Sequence, residues 1–383
     1  MDTTLEPTCT DVGHCRHIHF FWNFLSHRGT LRQITAKEPQ MNVEVPNTMQ
    51  AIEIGAHNLD LDSAINSLKV IEKRIPDTSW NDVLIRLEAA PCNPSDLLFL
   101  QGLYGVKKSL PTVAGWEGCG TVVKAGSPLG RPLLGKRVAF AVQSDRDGTW
   151  AEYASVPLQN CVPIGSELST EQAATFLVNP VSAYGMLDLL NSEGHKTIVQ
   201  TAAASQLGKL VTHFAKDFKM QIIHVVRRDE QAQLIKDIDP EAVVLNSSFE
   251  QFDKRLAAEC RRFEATAAID AVAGSSTAAL AKAIRPGGKI LVYGPLSGEA
   301  ASIDPGDLIF RDITVAGFYL GNYLKLGRIP KTIYNTWKIK KKMTETKIEP
   351  SVQKRVDFAS FKDALREYTR QMTAGKVLLT PPH

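Results

Sequence analysis

The sequence predicts a two-domain α/β protein, in which a twisted or partly closed sheet of short strands is followed by a doubly wound parallel sheet. Three observations carry this. The chain has 383 residues, and single cores seldom grow past about 250 residues before a chain splits. Residues 49–163 read as short β-type runs punctuated by Gly and Pro, whereas beyond residue 197 apolar strands alternate with amphipathic helices. A hydrophobic fraction of 44% and a charged fraction of 22% are those of an ordinary globular protein.

Along the chain, the first forty residues are basic and rich in histidine, with His14, Arg16, His17, His19, His27, Arg28 and Arg32 and no acid between Asp11 and Glu38. A disordered extension over 1–48 and a mitochondrial transit peptide over 1–40 both fit; Asp2, Glu6 and Asp11 speak against the peptide, and Met41 offers an alternative start. The histidines have no partner cluster that would hold a metal. The longest early apolar run, 18–25, is broken by His19 and Asn23 and falls short of the roughly 20 residues that cross a bilayer, so the expectation is a soluble chain without a membrane partner.

Short strands are expected at 83–87, 120–124, 137–141 and 151–155, which suggests a partial barrel. Helical spacing takes over from 169 to 190. Strands at 197–201, 221–226, 242–245, 267–272 and 289–293 then follow. Leu207, Leu210, Val211, Phe214 and Phe218 fall on one helical stripe, and Phe249, Phe252, Leu256, Cys260 and Phe263 on another. Both stripes read as crossovers between parallel strands, which is Rossmann architecture by pattern. After Phe318 the cadence weakens. A strand at 353–356, a helix over 359–374 and a strand at 375–379 suggest that the chain returns to complete its first domain. The expected division is 49–175 with 345–383 against 176–344.

A net charge of +3, from 44 basic and 41 acidic residues, gives no reason to expect nucleic acid. Cys9, Cys15, Cys92, Cys119, Cys161 and Cys260 are dispersed without metal-ligand spacing, which suits a reduced intracellular compartment and no metal. The first βα turn, Thr201-Ala-Ala-Ala-Ser-Gln-Leu-Gly208, keeps one glycine of a G-x-G-x-x-G pattern. Its small residues let backbone N–H groups of Ser205, Gln206, Leu207 and Gly208 approach a pyrophosphate at a helix N-terminus, although a tight turn without ligand reads the same way. At the end of the second strand an NAD site wants an acid, but Arg227 and Arg228 stand there. Arginine is what a ribose 2′-phosphate needs, so the expected cofactor is NADPH; the bland reading is a solvated helix start. Tyr293 and Gly294 at the end of the fifth strand, with Phe318, extend the expected cofactor-binding set.

Asn93-Pro-Ser-Asp96, Ala114-Gly-Trp-Glu-Gly-Cys-Gly120, Gly148-Thr-Trp-Ala-Glu-Tyr153, Asn179-Pro-Val-Ser-Ala-Tyr184 and Arg285-Pro-Gly-Gly288 resemble the medium-chain dehydrogenase/reductase superfamily, from Met49 to the C-terminus. The resemblance implies a GroES-like, partly open β-barrel catalytic domain beside the Rossmann domain. It also sets Asn93, Trp116 and Asn179 where zinc members keep Cys, His and Cys, and an amide and an indole make no tight zinc site. Within the zinc-free branch, Gln101-Gly-Leu-Tyr-Gly105 is similar to the 2-enoyl thioester reductases, whose active-site tyrosine this motif implies at Tyr104.

The implied activity is NADPH-dependent hydride transfer to the activated C=C bond of a small-molecule substrate, with Tyr104 as proton source and hydrogen-bond donor to the enolate oxygen. Asn93 and Asn179 would orient the nicotinamide or substrate carbonyl, and Trp116 would wall the substrate pocket. Packing alone also explains Tyr104 and Trp116. Quinone reduction, and a module that binds NADPH without catalysis, use the same residues. A homodimer through 313–316 is the family-based expectation; the expected location is the cytoplasm, with the mitochondrial matrix as the alternative if residues 1–40 are a transit peptide. Lysines 338 and 340–342 read as a solvated face.

Overall fold

The computed structural model describes residues 44–324 and 329–382. The expectations placed on residues 1–40 lie outside the described residues.

The first lobe contains β1 (Thr48–Ile54), β2 (Lys69–Arg74), β3 (Asp82–Pro91), β4 (Thr112–Val113), β5 (Glu117–Ala125), β6 (Arg137–Ala141), β7 (Tyr153–Pro157) and β8 (Cys161–Pro163). A small sheet runs β2-β1-β4, and β3, β5, β6 and β8 neighbour one another in a larger one, with β7 also on β3. Between them, Ile52 N–H donates to Trp150 O (2.8 Å) and Glu152 N–H to Gln50 O (3.1 Å). The sheets therefore wrap one apolar core, in which Phe99, Trp116, Phe140 and Trp150 are buried. β3 is buried along almost its whole length, with only Arg86 exposed, because both of its faces are covered, unlike an edge strand with a wet face.

The second lobe is a parallel sheet of β9 (Thr197–Gln200), β10 (Gln221–Val226), β11 (Val243–Asn246), β12 (Ala267–Asp270), β13 (Lys289–Val292) and β14 (Thr314–Gly317). Its order is β11-β10-β9-β12-β13-β14, and Ile198 of β9 lies opposite Ile222 on one side and Ala267 on the other. The strand order reverses between β9 and β12, which opens a crevice beyond their carboxyl ends. The stripe Leu210, Val211 and Phe214 is buried against the sheet on the helix Gln206–Ala215. Phe249 lies ahead of its helix, Phe252–Arg262, and is 45% exposed.

The tail crosses back. β15 (Val352–Val356) runs parallel to β16 (Lys376–Leu379), and β16 pairs antiparallel with β3 through Leu378↔Pro91 and Leu379↔Ala90.

The helix expected over 169–190 is two, Thr170–Ala174 and Asn179–Ser192. Pro180 has no N–H with which to continue the first, and its fixed φ suits a helix start instead. A helix over Ile329–Glu345, where the cadence weakens, carries Asn335 and Thr336 on its buried side, which dilutes the apolar period that sequence reading relies on.

Candidate active site

The crevice at the switch point is built around a buried carboxylate. Asp270, fully buried at the end of β12, accepts from Thr201 Oγ1 (2.8 Å), Thr277 Oγ1 (2.7 Å) and Val272 N–H (3.0 Å), while Thr201 Oγ1 also accepts from Ala271 N–H (2.9 Å). This stitches the ends of β9 and β12 to the helix Ser275–Ala283. At Ala202 the chain turns with φ +47°, a left-handed conformation that costs an alanine roughly 1 kcal/mol or more.

Ser205 caps the helix Gln206–Ala215, its Oγ accepting from Gly208 N–H at 3.0 Å. That leaves the N–H groups of Gln206 and Leu207 at the positive helix end for an anion. Gly208 is required here, because a Cβ would run into the carbonyl oxygen of Ala203. Beneath the turn, Gln200 Nε2 lies 3.2 Å from Gly208 O and 2.8 Å from His224 Nδ1. Burial pushes His224 down to about 4, so the ring is neutral and Nδ1 accepts.

Arg227 and Arg228 follow β10, both exposed and with no ion pair among the described residues. Tyr293, Gly294 and Phe318 follow β13 and β14 on the same side of the sheet, all half-buried. Tyr319, which the sequence reading missed, bridges the lobes: its Oη donates to Gln143 Oε1 at 3.3 Å.

On the first-lobe side, Tyr104 is half-buried and leans on Trp116, ring centroids 5.1 Å apart at 44°. Its hydroxyl has no hydrogen-bond partner among the described residues. Burial, and then the neighbouring Tyr319 and Asp96, hold its pKa well above the usual phenol value, so it is a protonated donor throughout the physiological range. Trp116 is 1% exposed and also meets Phe99 edge-on at 5.1 Å, so it packs rather than walls an open pocket.

Asp96 is 1% exposed, with one oxygen accepting from Asn93 N–H at 2.7 Å. Burial pushes its carboxyl up to about 7, helped by Glu117 and opposed by the Asn93 N–H, Lys376 and Lys108. The native state therefore holds a proton that the unfolded chain gives up near its ordinary value of 3.8, and the stability due to this group falls as pH rises from about 4 to about 7. Asp96→Asn, which keeps an acceptor oxygen for the cap, is expected to raise Tm relative to wild type by more at pH 8 than at pH 4. Thermal melts at the two pH values check this.

Asn93 sits in a buried polar chain. Lys376 Nζ donates to Asn93 Oδ1, Asn93 Nδ2 donates to Glu117 Oε1 (3.0 Å), and Val178 N–H donates to Glu117 Oε2 (2.8 Å). The break between the two helices is what frees the Val178 N–H. Burial raises Glu117 and lowers Lys376, and each carries the opposite charge that resists the other's shift. Asn93 thus spends its amide on the protein itself, which departs from the expectation that it orients a bound carbonyl. Asn179, the first residue of its helix, stands apart from this chain and lines a cavity with Lys376, Gln206 and His213. A metal does not fit: an ammonium occupies the Asn93 oxygen, Trp116 offers an indole, and no cluster of three metal-binding side chains exists among the described residues.

Four functional candidates escaped the sequence reading: Lys108, Asp270, Tyr319 and Lys376. Glu117 lay inside a quoted motif without a role. The four described cysteines are free and buried, and no helix among the described residues is long and apolar enough to cross a membrane.

Two family models match, the alcohol dehydrogenase GroES-like domain over residues 79–166 and the zinc-binding dehydrogenase model over 207–338. The chain is 34% identical over 259 residues to the mitochondrial enoyl-[acyl-carrier-protein] reductase of Caenorhabditis elegans, covering 66% of this chain and 73% of that one. Among solved structures, a protein from Mesorhizobium loti described as an NADPH:quinone reductase superposes with a TM-score of 0.79 at 31% identity, covering 88% of this chain and 99% of that one. A mutant enoyl thioester reductase from Candida tropicalis superposes at 0.71 with 22% identity over 87% and 99%, a likeness of fold.

Proposed function

Because the chain belongs to the medium-chain dehydrogenase/reductase superfamily, we propose that it is a zinc-independent, NADPH-dependent reductase of activated C=C bonds, with an enoyl thioester or enone as substrate. The observation that carries this is Tyr104, a protonated phenol without a hydrogen-bond partner among the described residues, held beside Tyr319 at the cleft between the lobes. The name of the nematode relative supports the acceptor class.

Bound NADPH would supply the hydride. Arg227 and Arg228 would hold its 2′-phosphate, and the turn from Ser205 to Gly208 its pyrophosphate. Tyr293, Gly294 and Phe318 stand where the ring end of the cofactor would lie, at the carboxyl edge of the sheet. Hydride arriving at the β-carbon leaves an enolate. Tyr104 would hydrogen-bond the enolate oxygen and then pass its one proton to the α-carbon, the phenoxide being reprotonated from water.

NADPH absorbance followed against crotonyl-CoA, a simple enone and a quinone tests the reading. Turnover fastest on crotonyl-CoA supports it. Turnover on quinone alone selects the second reading, which the 31% identity to the Mesorhizobium protein favours. NADPH binding without turnover on any acceptor overturns both in favour of a sensor.

A homodimer through the free edge of β14 is part of the proposal. Leu308, Ile309 and Phe310 beside it are 43%, 69% and 86% exposed, the kind of apolar patch that an interface covers. Light scattering is expected to give the dimer mass, and Phe310→Asp the monomer. Location is tested by fluorescent fusions starting at Met1 and at Met41: only the longer one enters mitochondria if residues 1–40 are a transit peptide.

A further inference from the structure

Lys108 is buried where, among the described residues, no ion pair answers its charge. It is 7% exposed, and its Nζ has no hydrogen-bond partner among the described residues. Of the carboxylates that face it, Asp145 and Asp147 are engaged elsewhere, and Asp96 uses one oxygen while its Oδ1 has no hydrogen-bond partner among the described residues. Asp145 accepts from the N–H and Oγ of Ser109 (2.7 and 2.9 Å), and Asp147 from Lys73 Nζ (2.6 Å) and Val113 N–H (3.0 Å). Asp96, on the helix Pro94–Leu100, takes the Asn93 N–H. His57 meets the edge of Phe99 at 5.2 Å.

What Lys108 does have is aromatic surface. Its Nζ lies 4.5 Å from the centroid of the Trp116 ring and 5.8 Å from that of Phe99. An ammonium withdrawn from water is costly unless something specific holds it, and the face of an indole is the best aromatic partner for a cation. The same indole carries Tyr104.

We infer that Lys108 is the positioning residue for Tyr104: its ammonium clamps the Trp116 indole by a cation–π contact, and the indole fixes where the phenol stands at the mouth of the cleft. The kinetic part rests on the reductase reading. The clamp depends on protonation, since a neutral amine has no charge to offer the ring. Burial pushes Lys108 down to about 8, with Asp96, Asp147 and Asp145 pulling it up, so the clamp is closed below about pH 8 and released above it. Keeping the ammonium there opposes folding below that pH, because the unfolded lysine holds its proton at no cost.

The test compares wild type, Lys108→Met and Lys108→Arg by kcat and by KM for NADPH from pH 6 to 10 with crotonyl-CoA. Thermal midpoints are measured alongside, with the pH dependence of Trp116 emission taken as the difference from Trp116→Phe. Wild type is expected to lose kcat above about pH 8, with Trp116 emission titrating in the same range. Lys108→Met should lose roughly tenfold in kcat, as removal of a buried cation–π contact implies. It should leave KM for NADPH unchanged, lack the alkaline limb and melt at a higher temperature at pH 7, the opposite of what a merely structural side chain would give. Lys108→Arg, charged at every pH used, should keep kcat and lose the limb.

A Lys108→Met enzyme with wild-type kcat, or emission of Trp116 that does not titrate, overturns the inference. Should the arginine variant fail to fold, the methionine variant and the emission decide. Should no acceptor support NADPH oxidation by wild type, the reductase reading falls while the emission still decides whether the clamp exists.

Discussion

Tyr104→Phe is expected to lower kcat on an enoyl thioester by roughly 10²-fold or more, the range that a positioned general acid contributes, with KM for NADPH unchanged. The substitution removes one oxygen atom and leaves the ring on Trp116, so the packing that holds residues 104 and 116 together survives. Its cost to stability should be small, because the hydroxyl has no partner among the described residues to be orphaned. The loss should therefore appear in the rate alone. Steady-state kinetics with a melting curve of the same preparation check it, and full turnover by Tyr104→Phe removes Tyr104 from the chemistry.

The second large effect is at the other end of the cleft. Replacing Arg227 and Arg228 together by alanine is expected to raise KM for NADPH by about 100-fold or more, at roughly 1.5–3 kcal/mol per charge-assisted hydrogen bond, and to leave KM for NADH almost unmoved. Both side chains are exposed and unpaired among the described residues, so removing them breaks no internal contact. Parallel titrations with the two cofactors read the ratio directly. An unchanged ratio sinks the assignment.

How much of this was legible in the sequence depends on where each signal lives. The parallel sheet was legible because β9 and β12 are covered on both faces and must be written as apolar runs. The antiparallel β1–β2 pair was not, because β2 alternates exposed and half-buried residues and reads as loop. Tyr104, Trp116 and Asn93 stood in recognisable motifs. Lys108 and Lys376 did not, since a lysine is ordinarily a surface residue and only the folded chain shows which ones are enclosed. The role of Asn93 changed for the same reason: its partner Lys376 lies 283 residues away, beyond any local pattern. At Ala202, one residue ahead of the glycine motif, the fold holds an alanine in a left-handed conformation that would suit glycine, a strain that the motif does not report.

That Lys376 belongs to the last strand has a consequence for how the chain is made. Synthesis delivers β3 and Asn93 first, and Lys376 of their neighbour β16 emerges only 283 residues after Asn93. The nucleotide lobe, whose strands lie close together in the chain, can close while the ribosome is still working. The lobe that begins first is completed last, and until β16 emerges it waits with that end of β3 open and Asn93 Oδ1 unmatched. A premature stop before residue 376 would strand it in that state, leaving an exposed strand edge for aggregation or proteolysis to find.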